Sequence, residues 1–255
     1  MAGLTTDTFE RPEDLSDTSD PRVLYARSYL LNRLVIGSIG VLLPTLLFFM
    51  DWLFLRGNTR VRSSLSAYYH TSARDLFVAA LCVVGVMLLT YMAAQRNTWD
   101  FWLSAAAGVA VLGVAFFPTR RPDLVAGEPL CGEVSFPTPP GCTHLQQALG
   151  ETTVAAIHYV SAGIFIVTLA LICFLFARRE QVHKGRIGRA RLHRACGYAI
   201  FAAIAWVGIG GALDIRILSL TPLYVGEVVS VYAFGVSWTM KALDLFKGLL
   251  DRLLR

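Results

Sequence analysis

Apolar residues in this chain do not alternate with polar ones; they come in blocks. Nearly unbroken runs cover about 30–55, 76–94, 101–117, 153–177, 196–213 and 223–243, with polar clusters between them. Each run approaches the roughly 20 residues that a helix needs, at about 1.5 Å per residue, to cross about 30 Å of hydrocarbon. Within lipid the amides must pair inside the segment, and a barrel strand would alternate polar and apolar side chains, which these blocks do not. The pattern predicts an all-α, polytopic membrane protein with six transmembrane helices across residues 23–243.

Two segments flank the blocks. Residues 1–22 hold Asp7, Glu10, Glu13, Asp14, Asp17 and Asp20 among Thr, Ser and Pro, which predicts a disordered acidic tail. No basic n-region precedes the first apolar run, so that run is expected to be an uncleaved anchor rather than a signal peptide. At the other end, Leu243, Phe246, Leu249, Leu250 and Leu253 share one helical face, with Asp244, Lys247, Asp251 and Arg252 largely elsewhere. Residues 244–255 are therefore predicted to form an amphipathic helix along the inner membrane surface.

Composition narrows the classes. Only 16% of residues are charged against 55% hydrophobic, whereas soluble domains carry about a quarter charged. Lys and Arg concentrate in the N-terminal segment, in "RREQVHKGRIGRARLHRACG" between spans four and five, and after span six. Because cytoplasmic flanks retain cations, both termini are expected in the cytoplasm. Membrane lipids are the expected partners, the basic loop being a candidate contact for anionic headgroups. Nucleic acid is not expected, since no binding module accompanies the charge. Cys82, Cys173 and Cys196 fall in or at the edge of spans, but Cys131 and Cys142 share the long loop after span three, turn-rich with Pro137, Pro139, Pro140 and Gly141. That loop faces outward in this topology, where a Cys131–Cys142 disulfide is predicted.

The candidate chemistry lies at the same outer end. "SSLSAYYHTSARD", Ser63 to Asp75, enters span two beside Arg56, Arg60, Arg62 and Arg74. In one reading these arginines meet lipid phosphates, Asp51 and Asp75, while Thr71 or Ser72 caps the helix that follows. In the other, Ser66, Tyr69, His70, Arg74 and Asp75 wall an outward-facing polar cavity. Glu151 and His158 belong to the outer part of span four and share a face with His144 if the helix starts near Thr143, capped with Gln146. Asp214 and Arg216 close span five, and Glu227 opens span six ahead of Ser230. Ionisable groups are costly in a membrane and turn towards the bundle interior, so Arg74 and Asp75 are expected beside Glu227 and His158, with Tyr68 and Tyr69 at the interface. Gly208, Gly210 and Gly211 suggest a close helix contact.

In motif order, "SLSAYYHTSARDLFV", "VAFFPT", "RLHRACG" and "EVVSVYAFGVSWTMKA" resemble an uncharacterised family of bacterial integral membrane proteins, a domain of unknown function. The resemblance covers most of the chain after the acidic tail and implies a bacterial plasma-membrane location. A distant similarity links Ser66, His70 and the aspartate after them to the alkaline ceramidase and progestin/adiponectin receptor superfamily of membrane hydrolases. It implies His70 as a zinc ligand, with Ser66 and Asp75 as partners of the zinc-bound water.

From the residues themselves, the leading expectation is a non-enzymatic protein that binds a small polar molecule or lipid headgroup in the outer cavity. No His-x-x-x-His pair and no Gly-x-Ser-x-Gly elbow is present. A metal-dependent membrane lipid hydrolase, with His70 and His158 as candidate zinc ligands, is one alternative. A small-solute carrier using Glu227 and His158 is the other.

Overall fold

The structure, a computed structural model, describes residues 21–253 except 56–60, 92–96, 123, 125–126, 135–136, 185–186 and 219; of 21–27, 183–184 and 241–253 only the backbone is described. The expected tail thus lies mostly outside the described residues. The chain is all-α as expected: α1 (Pro21–Phe54), α2 (Arg74–Thr90), α3 (Trp99–Phe116), α4 (His144–Leu149), α5 (Glu151–Lys184), α6 (Ile187–Ala212) and α7 (Pro222–Leu253). A short 3-10 helix, Ser66–His70, precedes α2.

Among the described residues four stretches are long and apolar enough to cross a membrane: Ser28–Phe54 in α1, Trp99–Phe116, Glu151–Val182 in α5 and Ile187–Ala212. The long helices touch in the cyclic order α1, α2, α3, α5, α6, α7 and back to α1. Large apolar side chains such as Leu42, Val109, Val160 and Ile209 are exposed outside this ring, while Arg33, Asp51, Asp100, Glu151, His158, Glu180 and His193 are buried. That inverts the distribution of a water-soluble core.

Helix ends explain where the predicted boundaries shift. The basic segment expected as a loop is nearly all helix, since α5 runs on to Lys184 and α6 starts at Ile187. Arg, Glu, Gln, Ala and Leu are good helix formers, and a charged helix end needs no hydrocarbon to continue. Glu180, in that segment, is buried. The amphipathic pattern of 244–255 falls on the last turns of an unbroken α7, where no separate helix begins and whose side chains lie outside the described residues.

Close packing is set elsewhere than expected. A Cβ on Gly235 of α7 would stand 2.8 Å from Val41 N and 2.9 Å from Gly40 C of α1, so those two backbones meet directly. Of the glycines singled out in span five, Gly210 abuts Pro222, whereas a Cβ on Gly208 or Gly211 would meet nothing within 4 Å.

Candidate functional site

The polar cluster forms around the exit of α3. Phe117 is held extended by the following Pro118, and the carbonyls of Phe117 and Thr119 then turn inward to receive donors. His158 Nδ1 donates to Phe117 O at 2.6 Å. His70 Nε2 donates to Thr119 O at 3.1 Å, and Gln146 Nε2 donates to the same oxygen at 3.0 Å. Gln146 also completes the expected capping box with Thr143 at the start of α4.

Glu151 is the hub of this end. Its carboxylate accepts from the backbone N–H of Arg121 at 2.7 Å and of Cys131 at 3.0 Å. The Arg121 guanidinium pairs with it at 3.1 Å, both side chains being buried. Arg121 spends its remaining donors on Pro140 O and Pro129 O. The Cys131–Cys142 disulfide, with Cα atoms 5.7 Å apart, closes the loop that this pair fastens to α5.

Over the cluster opens a pocket of about 510 Å³, lined among others by Tyr69, His70, Thr71, Arg74, Arg121, Thr143 and one carboxylate, Glu128. Arg74 lies over the Tyr69 ring, 4.6 Å from its centroid, and Nη2 donates to the Tyr69 hydroxyl at 3.1 Å. Among the described residues no carboxylate pairs with it, so most of its fork remains available. Burial lowers the His70 pKa from its ordinary value, with Arg74 and Arg121 acting in the same sense against the Thr119 hydrogen bond and Glu151. The imidazole is therefore a neutral donor at pH 7.

Glu227 belongs to a second polar group at the far end of the 3-10 helix. Its carboxylate accepts from Leu65 N at 2.6 Å and bonds the Ser66 hydroxyl and N–H, so it caps that helix from another part of the chain. Five residues at about 2 Å each separate it from His70 by about 10 Å. Nearby, Arg62 donates to Asp51 Oδ2 at 2.9 Å and 3.0 Å, as the bland reading of the arginines expected.

The single cavity expected from sequence thus resolves into two groups, and several members leave it. Arg74 and Asp75 do not enter beside Glu227 and His158; both are exposed, and Asp75 sits in the first turn of α2, favoured there by the helix dipole. Neither Thr71 nor Ser72 caps α2, whose N-cap is Ala73 with no side-chain bond; Thr71 Oγ1 instead accepts from Ala73 N at 3.1 Å within the preceding turn. Asp214 and Arg216 are 87% and 61% exposed and, among the described residues, pair with each other at 3.5 Å. His144 is exposed and shares no helix with Glu151, because Gly150, at φ 85°, breaks α4 from α5. Tyr68 and Tyr69 are buried rather than interfacial. Burial raises the Tyr68 pKa, with Tyr224 next to its hydroxyl.

For zinc, His70 and His158 each commit one ring nitrogen to a carbonyl. Among the described residues no group of three His, Cys, Asp or Glu side chains is placed to hold a metal ion. Sequence reasoning missed Arg121, Thr119 and Arg33. The signal for Arg121 was the need of a membrane-end glutamate for a cation. No family profile, curated protein or solved structure matches the chain.

Proposed function

We propose that the chain is a six-span membrane protein that binds a small polar molecule or lipid headgroup carrying an anionic group in the pocket at its disulfide end. The observation that carries this is Arg74, over the Tyr69 ring with no carboxylate partner among the described residues, in the wall of an open pocket beside His70 and Thr71. A planar guanidinium with free in-plane donors suits a phosphate or carboxylate, which it can bind bidentately. Arg121 lines the same wall, but Glu151 neutralises it, so Arg74 supplies the charge, and the Tyr69 hydroxyl, which accepts from Arg74, keeps its own proton to donate.

Six spans are supported by the closed ring of six long helices. α2 rises about 25 Å over its 17 residues, close to the hydrocarbon thickness, and α7 is longer. Cytoplasmic termini are supported by the basic flanks and by the disulfide loop lying at the opposite end. Reporter fusions after Gly57, after Asp123 and at the C-terminus test the topology, an outward C-terminus inverting it.

Binding is tested by titrating inorganic phosphate, and separately by comparing nanodiscs of phosphatidylglycerol with phosphatidylcholine, against thermal stability. Stabilisation by either anion that disappears in Arg74→Ala supports the pocket. Equal stabilisation of wild type and Arg74→Ala would refute it, since an exposed arginine can be removed without unfolding the protein.

A further inference from the structure

At the end of the bundle away from the disulfide lies a charge that the pocket does not use. Arg33 of α1 is wholly buried, and among the described residues its Nε, Nη1 and Nη2 have no acceptor within hydrogen-bond distance, the Tyr91 hydroxyl being the nearest oxygen that acts on it. Four rings box it in, with centroids 4.1 Å (Phe176), 5.0 Å (Trp238), 5.3 Å (Tyr29) and 5.4 Å (Tyr91) from its guanidinium carbon. Asp100 acts on Arg33 only from a distance, and its carboxylate is paired with Arg179.

Ring faces attract the cation, but they do not accept its N–H groups as an oxygen or halide would. A buried guanidinium with unmet donors is an expensive feature in a bundle that elsewhere satisfies its arginines, as at Arg121. The cage also has a cover. Tyr29, one helical turn before Arg33, is partly exposed, stacks on Tyr91 with centroids 5.1 Å apart, and joins it through a hydroxyl contact of 2.5 Å. Rotating Tyr29 away breaks that hydrogen bond, its stacking on Tyr91 and its contact with Arg33, and removes the one partly exposed wall of the cage.

We propose that Arg33 anchors a small monovalent anion, a halide or a carboxylate of formate size, admitted when Tyr29 turns off Tyr91. The anion accepts from the in-plane N–H groups and meets the positive edges of the surrounding rings. The tight box limits its size. The site shares no residue with the disulfide-end pocket, so either proposal can fail alone.

Trp238 in the cage wall gives a local readout. The protein in nanodiscs is titrated with iodide, replacing gluconate at constant ionic strength, and tryptophan quenching is followed. The expected result is a saturable component that chloride or formate competes away and that is lost in Trp238→Phe. Arg33→Gln should weaken it by more than about tenfold, equivalent to about 1.4 kcal/mol. Tyr29→Phe, which keeps the wall but removes the hydroxyl contact, should strengthen apparent binding. Quenching that is purely collisional in the wild type, or a saturable component that survives Trp238→Phe or a folded Arg33→Gln, would overturn the proposal. Should Arg33→Gln fail to fold, the wild type and Trp238→Phe decide the matter by themselves.

Discussion

Arg121 and Arg33 are both buried guanidiniums, and the molecule treats them in opposite ways. Arg121 meets a carboxylate and two carbonyls, at distances from 2.9 to 3.4 Å. Arg33 meets four rings and, among the described residues, no acceptor within hydrogen-bond distance. The first is a fastening, because all its donors are committed to holding the disulfide loop on α5. The second keeps its donors uncommitted, an arrangement that packing alone does not favour.

The largest effect should follow from undoing the fastening. Glu151→Gln leaves Arg121 unpaired and removes the charge that the N–H groups of Arg121 and Cys131 address. Breaking a buried pair costs about 3–5 kcal/mol, and the lower end applies here because Arg121 also borders the open pocket. Thermal unfolding of Glu151→Gln, Arg121→Met and the double variant checks this. The double loss should fall well short of the sum, and additivity would mean that the two side chains do not act as a unit.

Next in size is the remote cap. Glu227→Ala leaves the N–H groups of Leu65 and Ser66 without their acceptor, at about 1–3 kcal/mol for buried donors. The loss should be read by thermal unfolding, and by faster hydrogen exchange confined to 65–70. Unchanged exchange there would remove Glu227 from its capping role.

Arg33→Met sharpens the comparison in the other direction. A flexible apolar side chain of similar length fills the box without burying a charge, and such replacements are commonly neutral or stabilising. Stability should be unchanged or higher by about 1 kcal/mol, while Arg121→Met loses about 3 kcal/mol. A comparable loss at both positions would make Arg33 a structural residue like Arg121.

What the sequence could and could not reveal follows the same division. Periodicity and block length yielded the helices, because each apolar run reports its own solvent locally. The disulfide and the Thr143–Gln146 cap were also legible, one from compartment and one from a four-residue pattern. Pairings across the ring were not. Nothing local ties Arg121 to Glu151, thirty residues on, or Glu227 to Leu65. Arg33 falls inside the run at about 30–55, but nothing local ties it to Tyr91, Phe176 and Trp238 on three other elements. The expected unity of the Ser63–Asp75 wall failed because the 3-10 helix turns its two ends towards different neighbours.

His70 offers a subtler test on the acid side. Its folded pKa lies below the ordinary value because burial disfavours the imidazolium. The unfolded chain takes up that proton near pH 6.5, so between there and the lower folded value the unfolded state binds more protons. Stability should therefore be whole above about pH 6.5 and decline as pH falls below it. Thermal unfolding across pH 7.5 to 5, compared with His70→Gln, should show a shallower acid slope in the variant. Equal slopes would place the titration elsewhere.

The smallest effect belongs to Asp75. If the stretch before α2 formed one wall with Glu227, Asp75→Asn and Glu227→Gln would couple strongly. The structure instead puts Asp75 on the exposed first turn of α2 and Glu227 at the entry of the 3-10 helix, with that helix between them. Asp75→Asn should then alter stability by no more than about 0.5 kcal/mol, as surface substitutions do, the lost dipole interaction included. The double variant should equal the sum within about 0.5 kcal/mol. Raising salt should shrink the Asp75 contribution, because an exposed charge at a helix terminus is screened, while leaving the buried Glu151–Arg121 pair nearly untouched. A salt-insensitive, strongly coupled Asp75 would join the two polar groups into a single network and undo the division between them.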